Sequence, residues 1–192
     1  MIGMFHILYS RLILNEPILE AVQGEIQFPA EILAEVDRVI KLFPEGKQKS
    51  ALLRLLHIAQ AHFGWLDAPV MDYVARLLHL NPVEVYEVAT FYSMYDVKPV
   101  GKVKLEVCRT GPCMIEGAEK IVSYIENKLG IKDGETTADG LFTLKTVECL
   151  GACGYAPMLQ AGEKFHEHLT EAKVDELIEM YRKNPKTNYM GM

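Results

Sequence analysis

Val103-Lys-Leu-Glu-Val-Cys-Arg-Thr-Gly-Pro-Cys113 is where the chain changes its period, and its reading decides the fold. Val103, Leu105 and Val107 alternate with Lys104 and Glu106, the pattern of a half-buried strand, and that strand delivers Cys108 at its end. A helix is expected to start beside Cys113, with Pro112 at its entrance. Ile115, Ala118, Ile121, Val122, Ile125 and Leu129 form its buried stripe, and Gly130 closes it. From Leu141 to Val147 a second β-rich run leads to Cys149. Residues 157–168 read as a hairpin turning at Ala161-Gly162. A last helix follows Thr170, with Val174, Leu177, Ile178 and Tyr181 on one face and Pro185 beyond its end. The order is β, α, β, β, α.

Upstream the period is helical throughout. Pro29 suits a first turn, and Ile32, Val36, Val39, Ile40 and Phe43 recur until Pro44. Leu52, Leu55, Leu56, Ala59 and Phe63 repeat the pattern up to Gly64. Val70, Tyr73, Val74 and Leu77 mark a third helix. The fourth opens with Asn81 as N-cap, Pro82 in the first turn and Glu84 placed for a capping box, and its apolar side carries Val85, Val88, Ala89 and Tyr92. These faces predict a small helical bundle. The expected division is an extension over 1–27, the bundle over 28–95, a linker over 96–102, a second domain over 103–185 and a tail over 186–192. Phe91, Tyr92, Met94 and Tyr95 form an aromatic, apolar stretch with two readings: an anchor for another protein, or the seam between the two domains.

All four cysteines lie in the second half, as Cys108-x4-Cys113 and Cys149-x3-Cys153, separated by 35 residues. Four thiolates, two on each iron, are what a [2Fe-2S] cluster takes, and none is left over. Such a cluster is anionic, so it needs backbone N–H donors, which strand-to-helix loops and the positive end of the helix near Cys113 supply. Gly111, Gly151 and Gly154 would let the backbone approach closely, and ordinary turn chemistry also uses glycine there. Structural zinc is the main chemical rival, although zinc ribbons favour tighter C-x2-C knuckles. A thioredoxin-like dithiol needs C-x-x-C, which is absent. A Rieske centre needs histidines, and none lies between Cys108 and Cys153. His57 and His62 read as structural residues of the bundle, and His166 and His168 as surface residues of the hairpin.

The 192-residue chain has 49% hydrophobic and 24% charged residues, enough apolar matter for a packed core. A net charge of -6 without a Lys/Arg-rich run argues against nucleic acid and anionic lipid as partners. The apolar opening Met1–Tyr9 is too short for a membrane span, and Arg11 follows it rather than preceding it as in a signal peptide. Glu16 and Glu20 argue against a mitochondrial presequence. A reducing compartment is therefore expected, where clustered thiols bind metal more often than they pair. No G-x-G-x-x-G follows an expected strand, and no nucleophile, base and oxyanion set stands out.

Asn81-Pro-Val-Glu-Val-Tyr-Glu-Val-Ala-Thr-Phe-Tyr92, Cys108-Arg-Thr-Gly-Pro-Cys113 and Val147-Glu-Cys-Leu-Gly-Ala-Cys153 together resemble the thioredoxin-like [2Fe-2S] subunit of respiratory NADH:quinone oxidoreductase, the E subunit of bacterial complex I. The resemblance covers about residues 28 to 183. It implies an α+β fold, an N-terminal helical bundle followed by a thioredoxin-like α/β domain. It also implies one [2Fe-2S] cluster on Cys108, Cys113, Cys149 and Cys153, acting as a one-electron store. The implied partners are a flavoprotein subunit that binds FMN and NADH and the other peripheral-arm iron-sulfur subunits. The implied place is the cytoplasmic side of the inner membrane, held there through the complex without membrane insertion. An equivalent subunit of an NAD-linked hydrogenase or formate dehydrogenase shares the resemblance, and a zinc-stabilised assembly module is the reading from a different class. Gly111 stands where many members have threonine, and Gly154-Tyr155 where Val-Asn is common. Ala156-Pro157 matches the family's Ala-Pro, its peptide isomer being illegible in sequence.

Overall fold

The computed structural model of the protein describes residues 26–185. Residues 1–25 of the expected extension and the whole expected tail over 186–192 lie outside the described residues. Helix α1 runs Ala30–Ile40. A 3-10 turn, Gln48–Ala51, leads into α2, Leu52–Phe63, which Gly64 ends at φ 88. Helix α3, Ala68–Leu78, is capped by the Asp67 carboxylate, which accepts from the Val70 N–H at 2.9 Å, and is closed by His79 in the left-handed region. Helix α4, Pro82–Phe91, has the expected capping box: Asn81 accepts from the Val83 N–H, and Glu84 accepts from the Asn81 N–H at 3.1 Å. The apolar faces of the four helices meet in one cluster that includes Val36, Leu55, Leu56, Val74, Val85 and Ala89.

One residue of the expected α4 face falls elsewhere. The helix stops at Phe91, and Tyr92 turns to extended backbone and stays 40% exposed. Three residues on, Tyr95 turns back into the bundle, buried, with its hydroxyl donating to the Leu53 carbonyl at 2.7 Å. The aromatic stretch therefore divides. Tyr95 belongs to the core, while Phe91, Tyr92 and Met94 are exposed.

The second half forms a four-stranded sheet in the order β2-β1-β3-β4, from β1 Val103–Cys108, β2 Phe142–Val147, β3 Leu159–Ala161 and β4 Lys164–His166. Strands β1 and β2 are parallel, and the other pairings are antiparallel. The hairpin contributes two strands, one more than the expected order counted. Between β1 and β2 lie α5, Gly111–Ile115, and α6, Ala118–Leu129, and the described elements end with α7, Glu171–Lys183. Val103, Leu105, Val107, Phe142, Leu144 and Leu159 pack against Ile121 and Ile125 of α6 and Val174, Ile178 and Tyr181 of α7.

Two local expectations are corrected. The single helix after Cys113 is broken at Gly117, which sits at φ 93, so Ile115 leaves the buried stripe and is 85% exposed. Strand β1 is buried at all six residues rather than on alternate ones. It lies between β2 and β3 with α6 and α7 over its apolar face, and the segment after α4 meets its polar side. There the Lys104 ammonium meets both Asp96 oxygens, at 2.7 and 2.9 Å, and the Glu106 carboxylate at 3.1 Å. Asp96 is itself fixed to the bundle. Its N–H donates to the Gln60 side chain at 2.6 Å, and its carbonyl accepts from the Leu66 N–H at 2.8 Å. Lys145 of β2 adds a bond to the Ser93 carbonyl at 2.8 Å. Burial pushes the Glu106 carboxyl up, against the pull of Lys104.

Replacing Lys104 with methionine leaves two buried carboxylates without their shared cation. A loss of about 3–5 kcal/mol of stability is expected in urea unfolding. Asp96→Asn and Glu106→Gln added to that variant should restore part of it.

Histidines give the pH dependence. Burial lowers His57, with Arg54 adding to it against Glu163, and burial also lowers His166, with Lys164 adding to it. A histidine whose native pKa lies below its unfolded one contributes stability above the ordinary imidazole range and loses it as pH falls towards the lowered value. Urea midpoints should therefore drop between about pH 7.5 and pH 5. His57→Phe with His166→Phe should flatten that drop.

Candidate metal centre

Because β1 and β2 run parallel, their C-terminal ends emerge side by side, and each ends at a cysteine-bearing loop. Cys108 is the last residue of β1. Its N–H donates to the Met158 carbonyl at 3.1 Å, and the next residue, Arg109, donates to the Val147 carbonyl at 3.1 Å. The chain then turns at Thr110 into α5, where the Cys113 N–H donates back to the Thr110 carbonyl. From β2 the chain passes Cys149, turns at Gly151 and reaches Cys153 in a short 3-10 turn, Cys153–Tyr155.

The structure brings the four cysteines into two pairs of unlike access. Cys108 and Cys113 are 2% and 1% exposed and share a pocket with Ala118 and Met158. Cys149 and Cys153 are exposed, with sulfurs 3.6 Å apart. All four are free thiols. Among the described residues no three His, Cys, Asp or Glu side chains converge as one metal ion would require. Two thiol pairs at neighbouring strand ends match in number and grouping the ligands of a two-iron cluster, two thiolates on each iron.

Donors are placed on these sulfurs. Burial acts to raise the Cys108 thiol, yet hydrogen bonds from the backbone of Thr110 and Leu150 and from the Thr110 hydroxyl, 3.6 Å away, hold it below its usual value. Burial pushes Cys113 up to about 11, and the neighbouring Cys108 adds to the rise. The Cys149 sulfur accepts from the Gly151 N–H at 3.4 Å, and its proximity raises Cys153. Helix α5 spans only five residues, so individual N–H groups rather than a long helix dipole face the thiols. Gly111 and Gly151 have positive φ and open space where a side chain would stand, whereas Gly154 does not need the left-handed region.

His166 is half-buried rather than a surface residue, its Nε2 lying 2.9 Å from the Tyr181 hydroxyl, and His168 has its ring edge-on to Tyr155. Met158 is the residue that sequence reasoning missed. It is fully buried against the inner thiols, directly after Pro157, whose bond to Ala156 is cis. The only signal for it was the Ala-Pro pair.

The family model described as thioredoxin-like [2Fe-2S] ferredoxin matches residues 36–182. The E subunit of NADH-quinone oxidoreductase from Rickettsia felis is 45% identical over 155 residues, covering 80% of this chain and 93% of that protein. The E 2 subunit of NADH-quinone oxidoreductase from Rhizobium meliloti is 43% identical over 148 residues, covering 77% and 87%. Among solved structures, an NAD+-reducing [NiFe]-hydrogenase in the air-oxidized state superposes with a TM-score of 0.61 at 23% identity. That match covers 69% of this chain and 23% of the other, and it shows a shared fold.

If the pairs act together, Cys149→Ser should lose or strongly alter the iron-sulfur absorbance while the bundle stays folded on its own apolar cluster. Visible absorption and far-ultraviolet circular dichroism of the same sample check this. An unaltered visible spectrum would remove Cys149 from the ligand set.

Proposed function

The chain belongs to the thioredoxin-like [2Fe-2S] ferredoxin family, and from that premise we propose that it is the one-electron carrier subunit of an NADH:quinone oxidoreductase, complex I. The observation that carries the reading is the arrangement of Cys108, Cys113, Cys149 and Cys153 as two thiol pairs at the ends of two parallel strands. The names and coverage of the relatives support the parent complex. The hydrogenase likeness, at 23% identity, speaks for the fold alone.

In this reading the four cysteines hold a [2Fe-2S] cluster, which takes up and releases single electrons. The chain's own residues do the rest. The inner pair, enclosed by Met158 and Ala118, keeps water from one side. The Thr110, Leu150 and Gly151 backbones supply hydrogen bonds that stabilise thiolate charge. The outer pair gives the face through which electrons enter and leave. NADH oxidation belongs to FMN on a partner flavoprotein subunit, close to which this cluster sits, with other peripheral-arm iron-sulfur subunits as further neighbours. No described helix is long and apolar enough to cross a membrane. In this reading the chain is held at the cytoplasmic side of the inner membrane through the complex. The two apolar clusters, one drawn from Phe28–Tyr95 and one from Val103–Tyr181, support a division into a bundle over 28–95, a linker over 96–102 and a cluster domain over 103–185.

The test is anaerobic purification with iron, sulfide and zinc analysis and electron paramagnetic resonance before and after dithionite. Two irons and two sulfides per chain, with a signal only after reduction, are expected. One zinc and no sulfide would overturn the carrier. The isolated flavin-free chain should show negligible NADH oxidation until the flavoprotein is added, and turnover by this chain alone would overturn the division of labour.

A further inference from the structure

The four thiols are alike in chemistry and unlike in access. Cys108 and Cys113 sit in a closed apolar pocket, and reagents reach buried thiols slowly. Cys149 and Cys153 are exposed and already 3.6 Å apart. Between them runs Leu150-Gly151-Ala152, outside any helix or strand, with no atom within 4 Å of where a Gly151 side chain would stand. Both cysteines lie beyond the end of β2, so bringing the sulfurs to a bond of about 2.05 Å falls first to the segment that carries them. The Gly151 N–H is directed at the Cys149 sulfur from within that loop, at 3.4 Å.

From this asymmetry we infer that, in the cluster-free chain, Cys149 and Cys153 form a closable dithiol that reacts with small-molecule disulfides and so gates cluster loading, while Cys108 and Cys113 stay reduced. One outer thiolate attacks one sulfur of a disulfide such as oxidised glutathione, forming a mixed disulfide and releasing one glutathione. The other outer thiolate then displaces the second glutathione and closes the intrachain bond. Two protein thiols are oxidised, one small disulfide is reduced, and the two thiol protons end on the two glutathiones. A closed outer pair offers no thiolate to the second iron, so an oxidised chain cannot take up a cluster until a thiol reopens it. The inference rests on the ligand reading above.

The experiment uses the full cluster-free chain, treated anaerobically with oxidised glutathione, alkylated and digested with trypsin. The three relevant peptides are separate: residues 105–109 carry Cys108, residues 110–120 carry Cys113, and residues 146–164 carry both outer cysteines. The peptide 146–164 should lose two hydrogens and all alkylation, while the other two remain fully alkylated after unfolding. Cys153→Ser should stop at one glutathione on Cys149. Given ferrous iron and stoichiometric sulfide, the oxidised chain should develop no cluster absorbance in the time the reduced chain loads, and dithiothreitol should restore loading. Equal oxidation of Cys108 and Cys113, a lasting glutathione adduct with no intrachain bond, or equal loading of both forms would overturn the gate with the ligand reading intact. Failure of the reduced chain to load would overturn both.

Discussion

The ion cluster of Lys104 with Asp96 and Glu106 is the constraint around which the molecule is arranged, because it is where the two halves share buried charge. A lysine at 1% side-chain exposure is tolerable only when its charge is met, and here two carboxylates meet it. Asp96 is bonded through its backbone to Gln60 and Leu66 of the bundle side and through its carboxylate to the central strand. Glu106, on the same strand as Lys104, stands two residues from Cys108. The bundle is thus anchored to the strand that carries the first thiol, by polar contacts with fixed directions. Apolar packing alone would allow the halves to slide.

Much of the architecture was legible because it follows from period and punctuation. The bundle's helix start at Asn81-Pro82 and stop at Gly64 are local chemistry, and the structure has them where the sequence puts them. What escaped was set by neighbours distant in sequence. Val103 to Val107 alternate as a half-buried strand should, yet Lys104 and Glu106 are buried, because the Lys104 charge is met by Glu106 on its own strand and by Asp96 beyond it. Ile115 fits a helical stripe by spacing, but Gly117 breaks the helix first and leaves it in solvent. Tyr92 and Tyr95 look alike in sequence, and only the turn between them decides which one enters the core.

The candidate centre was legible in part for the same reason. Four cysteines and no others named the residues, and their short gaps fix each pair through local turns at Thr110 and Gly151. The unequal burial of the pairs was not legible, since it depends on Met158 and Ala118 closing over one pair from elsewhere in the chain. Nor was the identity of the N–H donors, which the folded loops select.

The parallel pairing of β1 with β2 makes the distances between cysteines along the chain unequal in stiffness. The gaps of four and three residues are rulers, each tied to a particular turn. The 35 residues between the pairs are, past Ala118 at the inner thiols, a return path, out along α6 and back through the loop before β2 to the neighbouring strand end. That path can lengthen or shorten at exposed turns that make no bond to the two strands, with the metal-facing geometry left as it is. A pattern meant to find such centres in other sequences should therefore hold the two inner spacings rigid and let the middle one float.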